Sequence, residues 1–389
     1  MFDSSEIFLE QSALAQNFAF LRKMLGEYVE ISSVVKGNAY GHGIESFVPM
    51  VERCGIRHFS VFSADEAFRV QACKQPESRL MIMGMVPAEA YEWAIVHEIE
   101  LYVFDNERLE EVLQTAQKLQ KPVHLHLELE TGMNRLGLVE AELPKTLLLL
   151  HEYRQYYVLE GICTHYAGAE SIANYWRIKQ QIARFQSLVQ KLTEAGVQAR
   201  RLHTACSAAC IAYPETRMDM VRIGIAQYGF FPTQETLIQY LKDHHAEQDP
   251  LRRVLSWKSR IMSTKQVATG EFIGYGTSFM AAKPMCIAAV PVGYAHGYSR
   301  TLSNQGQVLI RGKRCPVIGT VNMNLMLVDI GHLPLAQRGE EVVLIGRQGK
   351  AEITVASFGE LSNQLNYELL SRLPADIPRQ VLKGKLVKI

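Results

Sequence analysis

Residues 34–43 have the sequence Val-Val-Lys-Gly-Asn-Ala-Tyr-Gly-His-Gly, and we infer the organisation of the chain outward from them. The apolar, β-branched run 29–35 predicts a buried strand, and the glycines indicate the opening of a helix. Lys36 therefore lies where a strand stops, where lysines are usually just solvated. Desolvation can also lower an ammonium pKa and free the amine for a Schiff base with an aldehyde cofactor. Tyr40 and the backbone amides of residues 41–43 would suit a cofactor phosphate.

The composition points to small-molecule chemistry inside the cell. The chain has 389 residues, with 41 basic and 40 acidic side chains and a formal net charge of +1. Such a balance indicates neither a nucleic-acid nor a membrane-surface footprint. We expect a cytoplasmic protein, because the first residues lack a signal-peptide pattern and no window approaches the roughly 18 apolar residues of a membrane span. The seven cysteines, an odd number without CxxC pairs, favour reduced thiols and no metal site.

Short apolar runs alternate with helical patterns over about the first 235 residues. Helical spacing of apolar residues is clear at 11–25, 63–73, 107–119 and 175–195. Together with the run before Lys36 there are eight strand signals, and eight βα alternations predict a parallel (β/α)8 barrel. An open doubly wound sheet is the alternative. The other seven predicted strands are 59–63, 80–84, 101–104, 123–129, 159–164, 202–205 and 221–224.

Polar residues gather where these predicted strands end. Arg135 follows the fifth strand, His165 the sixth and His203 the seventh, while Arg222 lies within the eighth. A single histidine is more often structural than catalytic, but active sites of parallel barrels form at the carboxyl ends of the strands. Several polar residues at equivalent strand ends therefore predict a site at that face.

The alternation of strand and helix patterns ends near residue 235. We predict a barrel domain over 10–235 and a β domain over 236–389, to which the N-terminal strand 1–9 is added. Residues 237–250 are charged and are interpreted as a linker or surface excursion. Short strands separated by glycines follow, with one convincing helix at 355–370, which predicts an antiparallel β domain.

On these motifs the chain resembles the alanine racemase family, pyridoxal-phosphate enzymes of fold type III with a (β/α)8 barrel and a C-terminal β domain. Residues 34–43 are similar to the lysine signature of that family almost letter for letter. Gly-Tyr-Gly-Thr-Ser-Phe at 274–279 resembles its catalytic-tyrosine segment, and Pro-Val-Gly-Tyr-Ala at 291–295 a further hallmark. The resemblance covers essentially the whole chain.

The resemblance implies pyridoxal 5'-phosphate as cofactor, held covalently by Lys36. Racemisation removes a proton from one face of the substrate carbon and returns it to the other, so two bases are needed. Lys36 and Tyr275 would be these bases. The resemblance further implies a cofactor-binding set of Tyr40, His165, Ser207, Arg222, Gly224 and Ile225, a substrate-binding pair of Arg135 and Met323, and supporting roles for Glu128 and His203.

The same resemblance implies a homodimer with shared active sites, because Tyr275 and Met323 would come from the β domain of the partner subunit. It implies the interconversion of L- and D-alanine, with D-alanine supplied for cell-wall peptidoglycan. Because a guanidinium keeps its proton, Arg222 facing the pyridine nitrogen would leave that nitrogen unprotonated.

Five positions, grouped in four departures, differ from the family pattern. Glu128 stands where the family commonly has a lysine, often carbamylated, and would supply a negative charge for Arg135 directly. Cys-Met-Asp is replaced by Asn-Met-Asn at 322–324, an aspartate by His296, and a phosphate-side tyrosine by Ala375. The lost aromatic wall predicts room for a side chain larger or more polar than methyl, so we expect some serine racemisation.

Two alternatives from other functional classes remain open on the sequence alone. A decarboxylase of the same fold type would be expected to carry a cysteine in the substrate loop, where this chain has Asn322. A non-catalytic protein that binds pyridoxal phosphate would resemble the barrel alone and would lack the β domain with Tyr275.

Overall fold

The computed structural model describes residues 3–362 and 366–383. The chain divides into two compact units. One unit contains Ala13–Lys36 and Phe47–Arg252, and the other contains Gly37–Ser46 with the described parts of Met1–Ser12 and Arg253–Lys388. None of the described helices is both long enough and apolar enough to cross a bilayer.

The first unit is a closed barrel of eight parallel strands, as the sequence predicted. Each of the first six strands pairs with the next along the chain, and the first strand also pairs with the eighth. Between the seventh and eighth strands, backbone N–H groups of Asp219 and Arg222 donate to the carbonyls of Leu202 and Ala205 at 3.1 and 2.9 Å. The sheet has no free edge there, so the open-sheet alternative is wrong. The strands in order are Glu30–Val34, His58–Val61, Arg79–Ile82, Glu100–Val103, Val123–Glu128, Tyr157–Cys163, Arg201–His203 and Met220–Ile223.

Amphipathic helices alternate with these strands. The helix Asn106–Leu119 shows why they form: Asp105 caps it by accepting from the Arg108 backbone N–H at 2.8 Å. Its buried Leu109, Val112 and Leu113 recur at helical spacing and form one apolar face. The other helices from residue 11 onward are Gln11–Leu25, Ile44–Arg53, Ala64–Cys73, Tyr91–Val96, Leu143–Glu152, Tyr175–Glu194, Ser207–Ala212 and Gln234–Asp243.

The helix Gln234–Asp243 corrects the interpretation of residues 237–250 as a linker. Thr233 caps this helix by accepting from the Thr236 backbone N–H at 3.2 Å. The Tyr240 ring lies edge-on to Phe20, with 5.3 Å between the ring centroids. Lys242 and Asp243 are exposed at its end, and these charges, continued in the residues that follow, made the sequence alone look like a loop.

The second unit is built on a mostly antiparallel sheet. The N-terminal strand Ser5–Glu10 pairs antiparallel with Leu255–Arg260 and parallel with Arg379–Leu382. The predicted helix at 355–370 is matched by the helices Val355–Ser362 and Asn366–Ser371, and residues 363–365 between them lie outside the described part of the chain. The remaining strands are Ser263–Val267, Met285–Val290, Gln307–Ile310, Lys313–Ile318, Met326–Asp329, Glu341–Gln348 and Ala351–Ile353.

A left-handed turn follows Lys36 directly. Gly37, Asn38, Ala39 and Tyr40 have φ values of 62°, 54°, 53° and 50°. Residues with a Cβ rarely adopt this region, and each costs roughly 1–2 kcal/mol there. The turn is nevertheless held by hydrogen bonds between its own backbone groups, so local strain is retained at the end of the first strand.

Candidate active site

Lys36 ends the first barrel strand and lies at the carboxyl face, as predicted. Its side chain keeps access to solvent, yet surrounding protein atoms desolvate the ammonium and lower its pKa. The nearby positive charges of Arg135 and Arg222 lower this pKa further, while Glu66 opposes them. The setting therefore favours a neutral amine, the form that adds to an aldehyde.

Arg222 is buried inside the barrel and is fixed by neutral acceptors. One of its terminal nitrogens donates to His203 Nδ1 at 2.5 Å and to the His203 carbonyl at 2.9 Å. The other donates to the carbonyls of Thr164 and Thr204 at 2.8 and 3.1 Å. The guanidinium is thus a rigid, permanent positive charge whose orientation is set by the sixth and seventh strands.

His165 follows the sixth strand and is half-buried. Burial lowers its pKa to about 3, and Arg222, Arg135 and Lys36 contribute in the same direction. The imidazole is therefore neutral at physiological pH, and one ring nitrogen is available as a hydrogen-bond acceptor.

Glu128 and Arg135 do not form the direct ion pair expected from the sequence. Neither shows a hydrogen bond or salt bridge to the other in the described parts of the chain, and Arg135 is exposed. Burial raises the pKa of Glu128, while Arg222 and then Arg135 oppose the shift. The carboxylate thus influences both arginines through space rather than by contact.

Ser207 connects the seventh strand with the segment after the eighth strand. Its Oγ accepts from the backbone N–H groups of Gly224 and Ala226 at 3.0 and 3.4 Å. Ile225 lies between them and is buried. Ser207, Gly224 and Ile225, which the sequence predicted as phosphate ligands, are therefore brought together as neutral hydrogen-bonding groups.

The turn after Lys36 corrects one expectation. The backbone N–H groups of Gly41, His42 and Gly43 donate within the turn, to the carbonyls of residues 37–39, at 2.9 to 3.0 Å. They are not open to a phosphate, because the left-handed backbone turns the carbonyls of residues 37–39 toward them. The Tyr40 ring lies beside Tyr367, with 6.1 Å between centroids.

Tyr275 and Met323 lie in the second unit and are exposed, at 75% and 56% of their surface. Gly274 and Gly276 flank Tyr275 and both have positive φ, so the phenol is carried at the tip of a turn. Ser278 Oγ lies 3.2 Å from Thr320 Oγ1, which brings this turn close to the segment that precedes Met323.

Of the departing positions, His296 has a structural role. Its Nδ1 accepts from the Gly293 backbone N–H at 3.2 Å, and its Nε2 lies 3.3 Å from Ser4 Oγ. Ala375 and Asn324 are exposed, and Asn322 is half-buried.

Three buried residues that sequence reasoning missed connect to the site. His126 Nδ1 lies 2.8 Å from His203 Nε2, and His126 Nε2 lies 2.7 Å from Glu100 Oε2. The same Glu100 oxygen lies 3.0 Å from His58 Nε2. The available signal was the alternation His-Leu-His-Leu-Glu at 124–128, which puts polar side chains on the inner face of a barrel strand.

Two family profiles account for nearly the whole chain. The N-terminal domain of alanine racemase matches residues 9–232, and the C-terminal domain matches residues 254–381. The chain belongs to the alanine racemase family. An alanine racemase of Syntrophobacter fumaroxidans is 35% identical over 365 residues, covering 93% of both proteins. One of Leptospira interrogans is 32% identical over 380 residues, covering 97% of this chain and 96% of the relative.

Solved alanine racemases have the same fold. The Bacillus anthracis enzyme with bound L-Ala-P is 30% identical, with a TM-score of 0.89 over 100% of this chain and 97% of that one. The Bartonella henselae enzyme with covalently bound pyridoxal phosphate is 25% identical, with a TM-score of 0.83 over 98% and 100%. This member of the alanine racemase family is therefore a racemase that uses pyridoxal phosphate.

The residues of the barrel fit that cofactor. An amine of lowered pKa suits the aldehyde, the grouping around Ser207 suits a phosphate, and the fixed guanidinium of Arg222 suits a ring nitrogen. Among the described residues, no three His, Cys, Asp or Glu side chains are grouped in a way that could hold a metal ion.

Proposed function

We propose that this protein interconverts L- and D-alanine by a two-base mechanism in which Lys36 and Tyr275 serve opposite faces of the substrate. The observation that carries the proposal is the setting of Lys36, whose pKa is lowered at the barrel face beside Arg135 and Arg222. A lysine of lowered pKa gives up its proton more readily at physiological pH than an ordinary lysine does.

Pyridoxal phosphate, when bound, withdraws electrons from the substrate carbon and makes its proton removable. Lys36 would then take that proton from one face or return it there. Arg222 would direct its fixed positive charge to the cofactor ring nitrogen without giving up a proton. The ring nitrogen would then stay unprotonated and withdraw electrons less strongly, which disfavours side reactions.

Tyr275 would serve the other face, supplied by the partner subunit of a homodimer. A phenol ordinarily titrates near pH 10, so it needs positive or hydrogen-bonding neighbours to act as a base. In the single chain the Tyr275 side chain is 75% exposed, which supports a role completed by a second copy. The N–H group of neutral His165 would donate a hydrogen bond to the phenolate form of Tyr275.

Substrate and phosphate would be held by separate sets of residues. Arg135 would pair with the substrate carboxylate, and Met323 of the partner subunit would contribute its backbone or side chain to the same group. Tyr40, Ser207, Gly224 and Ile225 would hold the phosphate, the last three around one cluster of neutral donors, with His203 and Glu128 in support.

Serine is a second substrate that specific departures favour. Ala375 is exposed in place of an aromatic residue, and Asn322 and Asn324 add neutral hydrogen-bonding groups. A site that pairs a hydroxyl discriminates strongly, whereas apolar fit of one methylene gives only about 1–3 kcal/mol. We expect kcat/KM for serine within about one to two decades of that for alanine.

We also propose a cytoplasmic enzyme that supplies D-alanine for cell-wall peptidoglycan. Cys163, Cys206, Cys210, Cys286 and Cys315 are free thiols, which suits a reducing compartment. Fractionation of cells and D-alanine rescue of a deletion strain would test the two statements separately.

The central experiment measures loss of optical rotation from L-alanine, L-serine and L-lysine by the purified enzyme loaded with pyridoxal phosphate. Borohydride reduction followed by peptide mapping then locates the cofactor bond. Release of carbon dioxide without racemisation would replace the proposal by a decarboxylase, and cofactor binding without any turnover would leave a binding protein.

A further inference from the structure

A continuous chain of buried hydrogen bonds runs from Arg222 through His203 and His126 to Glu100. The four side chains belong to the eighth, seventh, fifth and fourth barrel strands and are all at most 5% exposed. The fifth and seventh strands are not neighbours, so the His126–His203 contact passes through the barrel interior. We call these four residues the Glu100 relay.

Gly161 on the intervening sixth strand makes this contact possible. A Cβ at that position would collide with both His126 Nδ1 and His203 Nε2. The two imidazole rings meet edge-on there, with 4.9 Å between centroids and an angle of 78°. The rings of His126 and His203 thus occupy the space that a side chain at position 161 would need.

The protons of the relay follow from donor and acceptor chemistry. A guanidinium can only donate, so His203 Nδ1 must accept from Arg222 at 2.5 Å. An imidazole must keep at least one N–H, so His203 Nε2 carries it and donates to His126 Nδ1. His126 therefore carries its proton on Nε2 and donates to the Glu100 carboxylate. Both histidines are neutral, each in the same tautomer.

Every donor in the relay consequently points away from Arg222 and toward Glu100. Burial alone would raise the pKa of Glu100, but His58 and His126 hold it well below its ordinary value, so the carboxylate stays charged. Arg79 and Arg201 lie 3.7 and 3.6 Å from its two oxygens and stabilise it further.

The relay connects Arg222 to a carboxylate by hydrogen bonds, whereas Glu128 acts on Arg222 only through space. All its hydrogen-bond acceptors in the described structure are neutral: His203 Nδ1 and the carbonyls of Thr164, His203 and Thr204. A buried cation without a direct counter-ion is costly. The oriented imidazoles transmit the attraction of the Glu100 carboxylate to it.

We propose that Glu100, His126 and His203 are positioning residues that fix the orientation and charge of Arg222 for the cofactor. The proposal rests on the proposed role of Arg222 toward the cofactor ring. It adds that a carboxylate at the amino end of the fourth strand controls the site at the opposite face, through one proton-ordered chain.

The test begins with the protons themselves. In protein labelled with 15N-histidine and loaded with pyridoxal phosphate, two-bond proton–nitrogen correlations should show both His126 and His203 as Nε2–H tautomers. A proton on His203 Nδ1 would overturn the relay. This readout does not depend on turnover, so it separates failure of the relay from failure of the racemase proposal.

The second measurement removes the charge at the far end. Glu100→Gln keeps the shape and should lower kcat about 10- to 100-fold, the scale of losing an outer-layer partner, with KM changed less than about twofold. It should also shift the absorbance of the bound cofactor. Glu160→Gln is the matched control, because Glu160 is a buried carboxylate that pairs with His124, Arg200 and, like Glu100, with Arg201, but makes no hydrogen bond to the relay histidines.

Equal behaviour of Glu100→Gln and Glu160→Gln in kcat and in cofactor absorbance would overturn the proposal. Thermal melts check folding of each variant. If Glu100→Gln is not recovered folded, His126→Asn provides the same test, because it keeps an acceptor for His203 but ends the link to Glu100.

Discussion

The barrel face around Lys36 and the turn that carries Tyr275 differ in how much of their chemistry is complete within one chain. Lys36, His165 and Arg222 lie among protein atoms that shift the pKa of each group. Tyr275 lies at the tip of a turn with 75% of its side chain in solvent. The comparison teaches that burial tunes the proposed first base within the barrel, whereas the proposed second base, Tyr275, stays exposed and in our proposal relies on a partner subunit.

The largest effect is expected from Lys36→Ala, which removes the tuned group. Racemisation should fall by at least about 10⁴-fold, the upper range for a lost acid–base group. Borohydride should no longer fix the cofactor to the protein. Lys74→Ala is the matched control, because burial also lowers the pKa of Lys74. A cofactor still reducible onto the Lys36→Ala protein would contradict the assignment.

Tyr275→Phe probes the incomplete side. Turnover should fall by about two to four decades, and proton abstraction from one enantiomer should suffer more than from the other. Primary isotope effects measured from L- and D-alanine would show this asymmetry, with the exposed Tyr28 changed to Phe as control. Small and equal losses in both directions would mean that Tyr275 has only a packing role and is not the second base.

His165 should make the barrel sensitive to acid. Its pKa is about 3 in the folded chain and near 6.5 in the unfolded chain. Between these two pH values the unfolded chain binds a proton at His165 and the native chain does not. The free energy of unfolding should fall by roughly 1–2 kcal/mol between pH 6.5 and 5 from this residue.

Urea unfolding of the wild type and of His165→Asn at both pH values measures the difference. The variant should lose less stability on acidification, and the exposed His151→Asn should behave like the wild type. An unchanged acid dependence in His165→Asn would show that the imidazole is already charged in the native state.

Glu128 tests whether a built-in carboxylate replaces a carbamylated lysine at the barrel face. Activity should be indifferent to bicarbonate, and Glu128→Gln should lose about tenfold, the scale of one interaction with a charged group. Glu128→Lys should acquire a dependence on bicarbonate. Stimulation of the wild type by bicarbonate would contradict this interpretation.

The smallest effect concerns Ala375. Introducing an aromatic wall by Ala375→Tyr should reduce kcat/KM for serine relative to alanine by roughly three- to tenfold, less than the about 1–3 kcal/mol limit for one apolar contact. Ala375→Ser is the control of nearly equal size. Strict alanine specificity that survives the change to tyrosine would remove position 375 from the pocket.

The barrel could be predicted from the sequence because each strand is a short apolar run that can be recognised from local pattern alone. Each of the eight predicted strands begins and ends within two residues of an observed strand. The helix Gln234–Asp243 could not, because its apolar face meets aromatic side chains far away in sequence, such as Phe20. Periodicity can indicate a helix, but it does not show the surface against which the helix packs. That tertiary packing is what stabilises a helix with so many polar residues.

By itself, the sequence determined the fold class, the family and the position of Lys36 at a strand end, since these depend on local pattern and on motifs. Only the tertiary structure decided that residues 37–40 turn left-handed and that the carbonyls of residues 37–39 accept from the amides of residues 41–43. It also decided that Glu128 and Arg135 stay out of contact, and that Glu100 reaches Arg222 through two histidines. Hydrogen-bond direction and pKa depend on which groups a closed barrel brings together across non-adjacent strands, and no spacing along the chain encodes that distance.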